Sequence, residues 1–184
     1  MLQALTPSIK ADALCSLAQE LTWAGKIREA LPIAREAAEL DPKNAWVLCQ
    51  YGRLLERTED DDGALAVYRR AAEIDPNEAL ALERLGNALL RRDQLAEARE
   101  MLNKAVTHPA DHAAPLSFRI GVRISLGDCL ARMGDVAAAH RHYRDAHQID
   151  PQSKLANDRL LRVSQTPQKP NAWNPLKSPA KSPF

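Results

Sequence analysis

The sequence predicts an all-α chain built from a repeated pair of helices, and three observations carry that reading. Aromatic residues make up 4% of 184 residues and glycines number seven, while alanine is abundant. That mix suits closely packed helices better than sandwiches or barrels, which draw on β-branched and aromatic residues. Asp41-Pro42 recurs 34 residues later as Asp75-Pro76, and again as Asp150-Pro151. Leu14, Leu17 and Leu21 follow the i, i+3, i+7 spacing of one helical face. The length fits one domain on a prior of about 100–200 residues, and 45% hydrophobic content supports a buried core.

With the recurring proline numbered 32, four units appear: 11–44, 45–78, 79–112 and 120–153. Position 8 holds Ala18, Gly52, Gly86 and Gly127; position 20 holds Ala30, Ala64, Ala98 and Ala139. Position 27 is Ala37, Ala71, Ala105 and Ala146, and position 24 is Ala34, Tyr68, Leu102 and Tyr143. Small residues let two antiparallel helices approach, and larger ones fill the seam between them. Thr6-Pro7 reads as an N-cap followed by proline in the first turn, so the first helix starts ahead of the numbered unit. Gly25 and Gly134 fall where a first helix must turn back, as glycine caps do. Pro32 lies inside the second helix and is expected to kink it or delay its start. The seven extra residues 113–119, with Pro109 and Pro115 nearby, predict a longer loop and an extended helix in the fourth unit. Leu155, Leu160, Leu161 and Val163 then suit a helix over about 154–164 that covers the last unit.

This pattern resembles the tetratricopeptide repeat, with its small residues at 8 and 20, its aromatic at 24 and its proline at 32. Ala34 and Ala110 depart from it. The resemblance implies a right-handed superhelical solenoid of about four helix-turn-helix repeats, residues 1–164, whose first helices line a concave groove. It also implies a non-catalytic scaffold or adaptor that binds a peptide or protein in that groove. The groove positions carry Gln19, Trp23, Trp46, Gln50, Arg53, Arg57, Arg84, Asn87, Arg91 and Arg132, with Glu56, Glu83 and Asp128 on the same surface. Planar arginine forks suit carboxylates, and Trp46 can stack on an apolar side chain. The clamp by which some family members hold chaperone C-termini is not reproduced, since only Arg84 matches its positions.

Other chemistry finds little support. Cys15, Cys49 and Cys129 form no Cys-x-x-Cys pair, and one odd, sparse set without a secretory signal reads as free thiols in the cytoplasm. His140 and His142 diverge on a helix, His147 is two turns from His140, and no carboxylate or cysteine completes a zinc spacing with them, His108 or His112. Glu59-Asp60-Asp61-Asp62-Gly63 lacks the alternation of a calcium loop and instead suits a helix N-terminus. There is no phosphate loop and no Ser/His/Asp arrangement, so neither enzyme activity nor a cofactor is expected.

The net charge of +1 is a sum of unlike parts. Residues 165–184 hold Lys169, Lys177 and Lys181 with no acid and five prolines, a disordered basic tail bearing Trp173 as a candidate docking motif. Residues 1–164 carry 22 basic and 24 acidic groups. No run approaches the roughly 18–20 apolar residues of a membrane span, and near-neutral charge argues against nucleic acid. The expected partner is a protein or peptide, acidic where it meets the arginines, in an assembly or secretion process. Self-association through the flank of the first unit is a further option, and an accessory, substrate-presenting subunit of an enzyme system such as a transferase is the alternative.

Overall fold

A computed structural model describes residues 6–108 and 114–165. Trp173 and the rest of 166–184, together with Pro109, Ala110 and His112, lie outside the described residues. Among the described residues the chain forms α1 (Pro7–Trp23), α2 (Ile27–Leu40), α3 (Ala45–Arg57), α4 (Asp61–Ile74), α5 (Ala79–Arg91), α6 (Leu95–Val106), α7 (Leu116–Arg132), α8 (Val136–Ile149) and α9 (Lys154–Ser164). No strand is present among them. Each odd helix packs antiparallel to the next even one, and α1, α3, α5, α7 and α9 also touch in succession along one face. No helix of the described residues is long and apolar enough to cross a membrane.

The ends of the helices follow from local chemistry. Thr6 caps α1 by accepting from the Ile9 amide, with Pro7 in the first turn. Asn44, Asp60 and Asp135 do the same for α3, α4 and α8, accepting from Val47, Gly63 and Ala138. The recurring Asp-Pro pair also has a cause. Asp41, Asp75 and Asp150 each donate a backbone N–H to the alanine at position 27, and Asp75 and Asp150 fold the next turn through side-chain bonds to Asn77 and Gln152 at 2.9 Å. The following proline has no N–H to continue a helix. Position 15 is left-handed in all four units: Gly25 (φ +78°), Glu59 (φ +63°), Asp93 (φ +61°) and Gly134 (φ +86°). Two non-glycines hold that conformation against its usual cost of about 1–2 kcal/mol.

Packing is set by the pairing of positions 8 and 24. A methyl group on Gly52 would lie 2.5 Å from the Tyr68 ring, and one on Gly86 2.6 Å from Leu102. Gly127 meets Tyr143 in the same way. The first unit makes the opposite exchange, with Ala18 against a seam holding Ala34. These two join Ala30 and Leu54 in a small cluster separate from the main core, which runs from Ala11 to Ala156. Pro32 sits inside α2, which neither starts late nor ends there. The extension of α7 is present: it has 17 residues against 13 in α3 and α5. α9 covers the last unit with Ala156, Leu160 and Val163, leaving Leu155 and Leu161 exposed.

Candidate functional site

On the face of the odd helices, spacings of four, three and four residues place Trp46, Gln50, Arg53 and Arg57 in one stripe of α3. The same spacing places Leu80, Arg84, Asn87 and Arg91 on α5. Four arginines therefore face two acids, Glu56 and Glu83, across adjoining helices. Gln19 is half-buried on α1, and Trp23 is 74% exposed at the end of that helix. Trp46 is 37% exposed.

The cluster is unevenly satisfied. Arg91 pairs with Glu56 on α3. Arg132 donates to the Leu90 carbonyl and, at 2.7 Å, to Asp93, so it fastens α7 to the turn between α5 and α6. That bond also holds the left-handed Asp93 in place. Glu83 is 8% exposed, accepts from Asn87 at 2.5 Å, and lies 3.5 Å from the Arg84 Nε. Burial lifts its carboxyl above the ordinary carboxylate range, with Arg84 opposing the shift. Arg53 has no ion-pair partner among the described residues, and its buried Nε–H has no acceptor. Burial, and then the charge of Arg84, disfavours its cationic form. Beneath them Tyr68 is fully buried with its hydroxyl beside the Glu56 carboxylate, and burial, then the charge of Glu56, pushes that hydroxyl well above the usual tyrosine range.

Two clefts adjoin the stripe. One, of about 450 Å³, lies between the starts of α5 and α7 and is lined by Leu80, Glu83, Arg84, Pro115, Phe118 and Gly121. It adds an apolar wall to the arginines. Sequence reasoning did not assemble it, because Pro115 and Phe118 belong to the inserted segment ahead of the numbered unit. The second lies at the other end of the face, around Arg91, Asp128, Tyr143 and Arg159. There Asp128 accepts from the Tyr143 hydroxyl at 2.8 Å and from two nitrogens of Arg159 at 2.7 and 3.0 Å.

All three cysteines are buried, and desolvation pushes Cys15 up to about 11 and Cys49 up to about 12, so both are thiols at neutral pH. Among the described residues no three His, Cys, Asp or Glu side chains gather as a metal site. His147 instead bonds Asn157 at 2.6 Å, docking α9 on α8.

A tetratricopeptide repeat family model matches residues 50–88, from α3 through α4 into α5. No curated protein matches the chain in sequence. Solved structures share its fold. PilF of Pseudomonas aeruginosa superposes with a TM-score of 0.76 at 21% identity, over 85% of this chain and 68% of that one. PilW, a widely conserved type IV pilus biogenesis factor, gives 0.74 at 23% identity, over 84% and 68%. MamA of Desulfovibrio magneticus RS-1 gives 0.64 at 22% identity, over 84% and 93%. The resemblance read from positions 8, 20, 24 and 32 is thereby shown, and the fold is an all-α tetratricopeptide-type solenoid.

Proposed function

We propose that this chain is a non-catalytic interaction scaffold that holds an acidic peptide segment of a partner along the face of α3 and α5. The observation that carries the reading is the excess of arginine over acid there, with no ion pair at Arg53 or Arg57 among the described residues. Planar guanidinium forks bind carboxylates with fixed geometry, and rigid helices hold those forks in place before the ligand arrives. Trp46 and the cleft of Leu80, Pro115 and Phe118 supply apolar surface at either side. The fold shared with a pilus biogenesis factor supports a chaperone-like role in assembly or secretion, in which a component is held and passed on unaltered.

The test uses two fluorescent probes, acetylated and amidated octapeptides of alternating Glu and Ala or alternating Lys and Ala. Anisotropy should show binding of the glutamate probe alone, weakening as salt rises. Arg57→Glu, at an exposed and unpaired position, should weaken it by about fivefold, the scale of a surface ion pair made repulsive. Its helical circular dichroism should be unchanged. Equal binding of the two probes would overturn the reading.

A further inference from the structure

The second residue of the repeat register carries a large apolar side chain on three odd helices: Trp46 on α3, Leu80 on α5 and Leu155 on α9. On α7 the same position is Gly121, and a methyl group placed there would meet no atom within 4 Å. Gly52, Gly86 and Gly127 each give way to a ring or a leucine, but no neighbour requires the glycine at 121. Glycine is also a poor helix former, so packing and propensity both leave this residue unexplained. Its effect is to open a space. The N-terminal extension of α7 sets Pro115 and Phe118 beside that space, and Ala79 and Leu80 wall it from α5, giving a mainly apolar cleft of about 450 Å³. Glu78 and Glu83 also line it, against one cation, Arg84.

We propose that this cleft is the docking site of the chain's own C-terminal segment, with the Trp173 ring filling the space over Gly121. Trp173 lies outside the described residues, the last of which is Gln165 at the end of α9. Reach, chemistry and charge favour this occupant. The cleft lies at the N-terminal ends of α5 and α7, so the segment must run back along α9 and sideways past α7. That path is about 20 Å, for a rise of 1.5 Å per residue and helix axes 8–10 Å apart. The eight residues from Gln165 to Trp173 span up to about 26 Å when extended. Trp173 is the largest side chain of the segment, and Lys169 and Lys177 flank it with no acid near. Five prolines restrict the free segment, so less freedom is lost when it is held. Docking there leaves Arg53 and Arg57 on α3 uncovered, and the inference does not depend on the acidic-segment reading.

The full chain carrying Trp23→Phe and Trp46→Phe retains Trp173 as its one tryptophan. Its emission should be blue-shifted, and its quenching by acrylamide weaker, relative to a free peptide of residues 166–184. Gly121→Leu restores the side chain that α5 and α9 carry at this position. It should return emission and quenching to the free-peptide values while the helical circular dichroism is kept. In the otherwise unaltered chain, Trp173→Ala should move the amide ¹H–¹⁵N signals of Leu80, Phe118 and Gly121. Free-peptide emission before Gly121→Leu is introduced would leave the cleft to a partner's side chain and overturn the proposal. A blue shift that survives Gly121→Leu would overturn it too, since the ring would be held elsewhere. A blue shift lost on dilution would put the segment of a second copy in the cleft, and the intramolecular proposal would again fail.

Discussion

The second and fourth units pack a tyrosine ring on a glycine in the same way, yet the two hydroxyls meet their carboxylates differently. Tyr143 is bonded to Asp128, which Arg159 locks from α9. Tyr68 is equally buried, and its hydroxyl meets only the Glu56 carboxylate, which is already paired with Arg91. The ring serves the fold at both places, so the difference lies in what position 9 does for the hydroxyl. One junction is locked by Asp128, Tyr143 and Arg159 together, and the other leaves the Arg53 Nε–H without an acceptor.

Breaking the completed junction should have the largest effect. Asp128→Ala strands the Tyr143 hydroxyl and the Arg159 guanidinium together. Both charged side chains are a little under one-third exposed, so a loss of about 2 kcal/mol lies between the exposed and buried limits for such pairs. Denaturant melts should show that loss, and hydrogen exchange should place the added opening in α9. A gain in stability would mean that the lock contributes nothing.

Exchanging each tyrosine for phenylalanine sharpens the contrast with the rings kept in place. Tyr143→Phe removes a bond to a charged acceptor and should cost about 1–2 kcal/mol. Tyr68→Phe removes a hydroxyl that makes only a loose contact with Glu56 and should cost less than Tyr143→Phe. Equal costs at the two positions would show that the hydroxyls are in fact alike.

The smallest effect concerns pH and Glu83. Burial raises its carboxyl in the folded chain, so the folded state keeps a proton there that the unfolded state has already lost. The stability contributed at this residue is full below the ordinary carboxylate value and falls as pH rises through the raised folded value. Glu83→Gln keeps an acceptor for Asn87 and removes that fall. Melting temperatures measured from about pH 4 to pH 7 should therefore decline less in the variant than in the parent chain. Identical profiles would show that Glu83 is solvated after all.

Much of the fold was legible because its signals are local or periodic. Thr6-Pro7, Gly25, Gly134 and the Asp-Pro pairs act within a few residues of themselves, and the 34-residue recurrence fixes which helix meets which. The extension of α7 and the span of α9 followed from the same reasoning. Pro32 does not delay the start of α2, because a helix held by Ala30, Ala34 and Ala37 in the core can tolerate one missing amide bond. The left-handed turns at Glu59 and Asp93 were not read, since only glycine advertises that conformation in a sequence. The stripe of arginines could be placed by register alone, but its pairing could not. Register says that Arg91 and Arg132 face the surface; it does not say that Glu56 and Asp93 already hold them. Glu83 was read as a surface acid, although it takes position 5, which Cys15 and Cys49 fill as buried groups in the units before it. The most telling partner, Arg159, lies at the sixth residue of α9, and its meaning appears only when that helix is read as the start of another unit.

The separate alanine cluster of the first unit has a kinetic consequence. A linear array loses its ends first, because a terminal unit has one neighbour where an inner unit has two. Here the two ends are unequal. The C-terminal end is bolted by Arg159, Asp128 and the His147–Asn157 bond, whereas the N-terminal end is held by small side chains, Ala11, Cys15 and Ala37 in the main core and Ala18, Ala30 and Ala34 in the small cluster, with Pro32 inside its second helix. Opening therefore runs from α1 inward, like a zipper with one stitched end. Cys15 becomes reachable by thiol reagents early in that sequence, and Cys129, beneath the bolted end, late.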